Sequence, residues 1–594
     1  MDGDNSQDAI NWARAVLAIL LLALLASLTG SAQAAEDEAV IPRVVDLAPT
    51  AAKPWEAGLV PIESNFEPAA PVSGSLVICG GGKLPDSVLN RFLELAGGDE
   101  ARIVVIPTAS ALADSPEVES KLVFWRRAKV AALDILHTRS RTQANEPGFV
   151  RPLQAATGVW FTGGFQWRLA DTYLGTAVEK LVHSVLDRGG VVGGTSSGAA
   201  IMSTNMIRRG YPSTEVGRGF DFLPGTVIDQ HFLKRNRQQR LIDVLEHHPG
   251  FVGLGIDEGT ALIAQGRRLS VLGESQVVAY LAPSADRPLK LETLHSGDEV
   301  DLIAMSRAAV ARAKPSKRPS RPDVQAAPDG TLILAGGGDL PPEVGERFIA
   351  AAGGPDAPLV VISTAASARP EDEREELGWL HAAGATNVCL LDARSRAEAL
   401  NESSLKIIRR ARGIWFSGGK PWRLVDAYLD SEAEREFHRV LAAGGVIGGT
   451  AAGARIQASA LLRGTPSANS ELSAEGYETG FGFFRNVAIE DRFSEENRLA
   501  AMVELKRRRP ELIGIGIDER TALAAHGNQL EVLGASHVTL FADTKPAADG
   551  RPAFRVLEAG ERFDLKTGRR IAPASTTTAA ATVASEPSHG KNGR

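Results

Sequence analysis

The stretch Gly194-Thr195-Ser196-Ser197-Gly198 has the G-x-S-x-G spacing of a nucleophile elbow. An apolar run ends at Val191-Val192 and a helix-like run begins at Ala199, so Ser196 falls on a strand-to-helix turn. Such a turn lifts a serine hydroxyl out of the sheet edge. It also sets backbone N–H groups beside the hydroxyl, where the oxyanion of acyl transfer develops. The glycines are needed because a side chain there would collide with strand or helix. The same pattern also describes an ordinary Gly-rich βα turn.

A serine nucleophile needs a base, and the base needs an orienting acid. Of the 11 histidines, His183 lies in a helical segment and His247-His248 ends one before Pro249. His231 differs: it sits in the polar group Asp229-Gln230-His231-Phe232, just after the apolar run 226–228. Glu258, in Gly255-Ile256-Asp257-Glu258-Gly259, follows 27 residues later and can hold an imidazole in one tautomer. Read singly, His231 is equally a hydrogen-bonded loop histidine, and Glu258 equally a carboxylate capping its own turn.

The elements that must position these residues are short β-branched runs alternating with longer helical segments. LVIC (76–79), RIVVIP (102–107) and GVWFTGG (158–164) are apolar throughout, as strands covered on both faces must be. The alternation predicts βαβ units and a mostly parallel sheet with helices on both sides. Ligands of such sheets bind at the carboxyl ends of the strands. Gly80-Gly81-Gly82, Gly163-Gly164 and the Ser196 turn all stand at such ends. Neither a P-loop nor a G-x-G-x-x-G with its acidic partner is present, so no nucleotide cofactor is implied.

The chain then repeats itself. GVWFTGGFQWRLADTYL (158–174) is answered by GIWFSGGKPWRLVDAYL (413–429), and RGGVVGGTSSGAAIMS (188–203) by AGGVIGGTAAGARIQAS (443–459). Ala451 stands 255 residues after Ser196, and Glu519 stands 261 after Glu258. Within this matched scaffold Ser196 has become Ala451, His231 has become Arg492, and Phe165-Gln166 has become Lys420-Pro421. The glycines and apolar strands survive while the reactive side chains do not, as in an inactive duplicate.

At 594 residues the chain exceeds one domain; the prior is roughly four units of about 150 residues. Its 44% hydrophobic content and 60 glycines suit α/β structure, and a net charge of −7 implies no nucleic-acid partner. Cys79 and Cys389 both lie in apolar strand-like runs and read as buried thiols, with no disulfide framework or metal site.

Residues 15–28 are apolar and of signal-peptide length, and Ala32-Gln33-Ala34 supplies a cleavage site. Asp2, Asp4 and Asp8, with Arg14 as the one cation before the apolar stretch, depart from the usual leader charge. The expectation is export to the periplasm or beyond, with no stable membrane span once the leader is removed. An uncleaved leader would instead anchor the chain. The expected layout is a signal peptide (1–34), an extension (35–73), a catalytic domain (74–306), a basic Pro-rich linker (307–329), a degenerate second domain (330–571) and a disordered tail (572–594).

LVICGGGKL, FTGGFQWRL, GGTSSGA, VIDQHFLKRNRQQRL and GLGIDEGTA, in this order, resemble cyanophycinase and its relatives, the serine peptidase family that also holds aspartyl dipeptidase (peptidase E). The resemblance covers about 74–305 and again 330–570. It implies two tandem flavodoxin-like α/β/α sandwiches related to glutamine-amidotransferase-like domains. It implies a triad of Ser196, His231 and Glu258, with Gln166, Asp229, Gln230, Arg235, Arg237 and Arg240 toward substrate. The substrate it implies is cyanophycin, a poly-aspartate backbone bearing arginine on each side-chain carboxyl, and the product is β-Asp-Arg. The family's residue after the nucleophile is usually alanine, where this chain has Ser197. Ser197 and Gly164 are the expected oxyanion donors through their N–H groups. No metal or cofactor is expected.

On a helix Arg237 and Arg240 are i,i+3 neighbours able to face one anion, while Arg235 points elsewhere. A solvated basic face would read the same way. Family members commonly form homodimers, so the second repeat is expected either to replace a partner subunit or to dock an insoluble polymer. The competing functions are a small-peptide aspartyl or isoaspartyl dipeptidase and a non-catalytic peptide- or polymer-binding protein.

Overall fold

A computed structural model describes residues 68–209, 214–314, 329–464, 466, 472–542 and 553–572. The leader, most of the extension, residues 315–328 of the linker and residues 573–594 of the tail lie outside them. In the first repeat the strands are β1 (Val72–Cys79), β2 (Arg102–Ile106), β3 (Ala132–Ile135), β4 (Gly158–Phe161), β5 (Val191–Thr195), β6 (Ser203–Arg209) and β7 (Glu215–Arg218). They continue with β8 (Leu223–Gln230), β9 (Val252–Ile256), β10 (Thr260–Gly266), β11 (Arg268–Gly273), β12 (Gln276–Leu281), β13 (Lys290–His295) and β14 (Glu299–Asp301).

These strands form two sheets. The larger runs β14-β11-β10-β1-β5-β4-β2-β3, with β1, β5, β4, β2 and β3 parallel and β10, β11 and β14 antiparallel at one edge. The smaller runs β13-β12-β9-β8-β6-β7, with a parallel centre of β9, β8 and β6. The α/β class and parallel centre agree with the pattern of apolar strands. The second sheet is an addition that the alternation of elements did not reveal. One hydrophobic cluster runs from Leu76 and Ile78 of β1 through Val192 of β5 to Ile228 of β8 and Leu254 and Ile256 of β9. Both sheets therefore share a core, and the ends of β1, β5, β8 and β9 can meet. The second repeat rebuilds the plan with a nine-stranded and a five-stranded sheet among the described residues.

Three expectations are corrected. The ordered chain begins before Gly74: β1 starts at Val72, and Ala69 is already buried. The linker does not begin at 307, because the helix Leu302–Ala313 runs through it, capped by Asp301 accepting from the N–H of Ala304 (2.9 Å). Arg307 and Arg312 are only 6% exposed, so these two basic side chains are interior. Arg307 Nε lies 2.5 Å from Asp426 Oδ1, Arg267 Nη1 lies 2.5 Å from Asp426 Oδ2, and Arg312 Nη2 lies 2.9 Å from Glu475 Oε1. Each pair joins the first repeat to the second. Finally, Cys79 is buried as expected but Cys389 is exposed. Among the described residues its strand (Val388–Leu391) pairs only with Leu359–Ile362 and so forms a sheet edge. No helix among the described residues is long and apolar enough to cross a membrane.

Candidate active site

Ser196 stands between β5 and the short helix Ser197–Ala200 with φ 53° and ψ −113°. A non-glycine residue held there carries strain of order 1–3 kcal/mol, so its surroundings must enforce it. They do so through glycines. A Cβ on Gly194 would meet the carbonyl oxygen of Gly198 at 2.5 Å, and one on Gly198 would meet that of Phe161 at 2.3 Å. The Ser196 N–H donates to the Cys79 carbonyl at the end of β1 (3.0 Å), which fixes the turn to the sheet.

His231 follows β8 and Glu258 follows β9, two parallel neighbours, so both side chains leave the same sheet end. His231 also takes positive φ (50°), with its N–H donating to the Gly80 carbonyl (2.7 Å). The imidazole Nε2 lies 2.9 Å from Ser196 Oγ, and Nδ1 lies 2.6 Å from Glu258 Oε1. The turn after β1 makes room for both. A Cβ on Gly81 would sit 2.4 Å from the imidazole Cε1, and one on Gly82 would sit 2.9 Å from Glu258 Oε2. Burial lowers the His231 pKa below the usual histidine range, Glu258 opposes this, and the nearby Arg235 and Arg237 charges add to it. The imidazole is therefore neutral at pH 7 and able to take a proton.

The remaining predicted residues divide. Gly164 and Ser197 lie together at the turn, since Ser197 Oγ is 2.5 Å from the Gly164 carbonyl oxygen. Gln166 joins them: its Oε1 is 2.9 Å from Ser197 Oγ, while its Nε2 donates to the Ile207 carbonyl (2.6 Å). The Ser197 hydroxyl is thus engaged on two sides. Asp229 is fully buried and does not stand open to a ligand. Arg240 grips its carboxylate through Nε (2.6 Å) and Nη2, and Arg237 Nη1 reaches it at 3.5 Å. The one anion that Arg237 and Arg240 share is thus Asp229, an internal counter-ion.

Arg237 also donates to the Gln230 carbonyl (2.7 Å). Burial, together with Arg240, lowers its pKa to about 10. Gln230 itself is buried. Residues 232–236 form turns, and the helix begins only at Gln238, because Asn236 adopts φ 50°. Arg235 is exposed.

Asp257 is a residue that the sequence reasoning passed over. Its Oδ1 accepts from the N–H groups of Leu233 (3.1 Å) and Lys234 (3.0 Å), and its Oδ2 from Ser275 Oγ (2.8 Å). It holds the segment that follows His231. The signal was available: Asp257 recurs as Asp518, whose Oδ1 accepts from the Ser494 N–H (3.1 Å). Thr108, His137 and Asp114 form a second hydroxyl–imidazole–carboxylate chain (2.9 and 2.8 Å). Thr108 has no exposed surface and its hydroxyl also meets Tyr173 (2.7 Å), so it serves as internal bracing.

The model of peptidase family S51 matches residues 76–272 and 352–533. The cyanophycinase of Geminocystis herdmanii is 31% identical over 238 residues, 36% of this chain and 86% of that one. The cyanophycinase of Synechococcus elongatus is 35% identical over 201 residues, 32% of this chain and 62% of that one. A peptidase from an acI-B1 actinobacterium, known as a crystal structure, aligns with 39% of this chain and 98% of its own, at 24% identity and TM-score 0.31. With both repeats matched by the family model, the chain belongs to peptidase family S51 and is a serine-type peptidase.

Proposed function

We propose that this protein hydrolyses cyanophycin to β-Asp-Arg dipeptides, with Ser196 as nucleophile, His231 as general base and Glu258 as the orienting acid. The observation that carries the reading is the continuous chain Ser196 Oγ–His231 Nε2 (2.9 Å) and His231 Nδ1–Glu258 Oε1 (2.6 Å). His231 takes the proton from Ser196 Oγ as the oxygen attacks the scissile carbonyl. The N–H groups of Ser197 and Gly164 receive the oxyanion; loss of one such donor costs roughly 100- to 1,000-fold in rate. The imidazolium, held by Glu258, then gives its proton to the leaving amine. Water, deprotonated by the same imidazole, clears the acyl-enzyme.

Gln166, Gln230 and the exposed Arg235 line the approach for substrate. Arg237, Arg240 and Asp229 hold one another and shape the wall behind it. The name cyanophycinase printed for relatives at 31% and 35% identity supports the polymer as substrate. The second repeat replaces the partner subunit of a homodimer, and the chain acts after export.

The test is release of β-Asp-Arg from cyanophycin by the purified full-length protein and by Ser196→Ala. Release by the wild type and none by the variant is expected; equal release by both would sink the triad. Cleavage of isoaspartyl dipeptides with the polymer left intact would replace the substrate and keep the mechanism.

A further inference from the structure

The hydroxyl of Ser197 lies deep in the site, the residue being 1% exposed, yet the reaction as proposed uses only its N–H. Its oxygen is 2.5 Å from the Gly164 carbonyl oxygen and 2.9 Å from Gln166 Oε1. Both are acceptors, and the hydroxyl has one proton. Gln166 cannot be turned round to supply a donor, because its Nε2 donates to the Ile207 carbonyl at 2.6 Å and approaches that of Arg208 at 3.3 Å. The one proton is therefore shared between the Gly164 carbonyl and Gln166 Oε1 as a three-centre bond that ties the two together. That leaves a lone pair on Gln166 Oε1 for a donor from the substrate.

The second repeat shows what the hydroxyl is not for. Ala452 replaces Ser197 and Pro421 replaces Gln166, so both ends of the link are gone. The loop keeps its form: Gly419 has φ 136° where Gly164 has 146°. A Cβ on either glycine would meet a carbonyl oxygen, of Ala365 or Ala109, at 2.1 Å. Packing makes the loop, and the hydroxyl is not needed to fold it.

We infer that the Ser197 hydroxyl is a positioning group that clamps the Gly164 peptide and the Gln166 carboxamide into one unit, so that oxyanion donor and substrate contact are placed together. The inference rests on the triad and oxyanion loop proposed above. Small displacements at such a site are costly, since about 1 Å of misplacement can remove roughly 100-fold of rate. One hydrogen bond lost from a clamp retained by packing costs less, about 3- to 10-fold.

The experiment uses the full-length protein as wild type, Ser197→Ala, Gln166→Met and the double variant. Two readouts are taken: the rate at which a fluorophosphonate labels Ser196, and kcat and KM on soluble cyanophycin. Ser197→Ala is expected to fold, because Ala452 sustains the same turn. It should slow labelling about 3- to 10-fold and lower kcat with KM within about twofold. Its effect should shrink in the Gln166→Met background, giving a combined loss smaller than the product of the two. Labelling and kcat at the wild-type level, fully multiplicative losses, or a Ser197→Ala chain that does not fold would each overturn the clamp while leaving the triad standing. A wild-type protein that is neither labelled nor active would overturn the triad, and the clamp with it.

Discussion

Ser196 and Ala451 occupy one backbone conformation, φ 53° and ψ −113° against φ 50° and ψ −110°. His231 and Arg492 do the same, with φ 50° and 48°. What differs is the side chains and how they are neutralised. In the first cleft the imidazole bridges a hydroxyl and Glu258. In the second, Arg492 Nε lies 3.0 Å from Glu519 Oε1, so the carboxylate that would orient a base is closed by an ion pair. The buried acid beneath the site persists with a new counter-ion. Asp229 is held by Arg240 and Arg237 from the segment after His231, whereas Glu490 is held by Arg463 Nε from another segment (3.1 Å). The two clefts share a scaffold and part company at each group able to move a proton.

That contrast can be broken most directly at the nucleophile. Ser196→Ala is expected to lower kcat by about 10⁴-fold or more. Arg492→Ala in the second repeat should leave turnover within about twofold; appreciable turnover in Ser196→Ala would assign chemistry to the second cleft. Next in size is the junction. Asp426 accepts from Arg267, Arg307 and the Tyr477 hydroxyl (3.0 Å); Asp426→Ala strands the buried Arg307 guanidinium and leaves Arg267 with Asp301 alone. Removing one partner of such a cluster costs about 3–5 kcal/mol. Calorimetry should show it, with both repeats losing stability if they unfold as one body.

A glycine pair sharpens the comparison further. Gly81→Ala drives a methyl to 2.4 Å from the His231 ring and should cut kcat about 100-fold. Gly337→Ala, with Arg492 Nε at 3.3 Å, should lower stability, because φ 111° strains an alanine, and leave turnover unchanged.

The smallest effect is electrostatic. His231 acts only as neutral imidazole, and burial holds its pKa below the usual range, so activity should fall on acidification only below pH 6.5. Arg235 disfavours the imidazolium, and replacing this cation by glutamine should move the acid limb upward. The shift should fade as salt is raised, because Arg235 is exposed. A limb that does not move in a kcat/KM–pH profile would remove Arg235 from the field at His231.

The duplicated scaffold is legible in the chain, and the proposed triad stands out within it, because repetition separates what packing keeps from what chemistry needs. Asp229 is not legible in the same way. A carboxylate followed by arginines reads identically whether a ligand or those arginines satisfy it, and burial decides. The helix carrying Arg307 and Arg312 is hidden for a related reason. Basic, Pro-rich composition marks a linker only if its charges stay in water, and here Asp426 and Glu475 bring two of them inside. The late start of the helix after His231 turns on Asn236, whose positive φ no periodicity reports. The second sheet escapes because its strands alternate with turns and edges as well as with helices.

The backbone kept at Ala451 bears on what holds such a turn in shape. An alanine there does no chemistry, yet Gly449 and Gly453 still fit against backbone atoms that a Cβ would approach to 2.4 and 2.0 Å. A lineage that loses its nucleophile cannot relax the turn without rebuilding the strand and helix that enclose it. The shape is therefore independent of the hydroxyl: packing keeps the turn sharp, and the side chain on it decides what chemistry it can do.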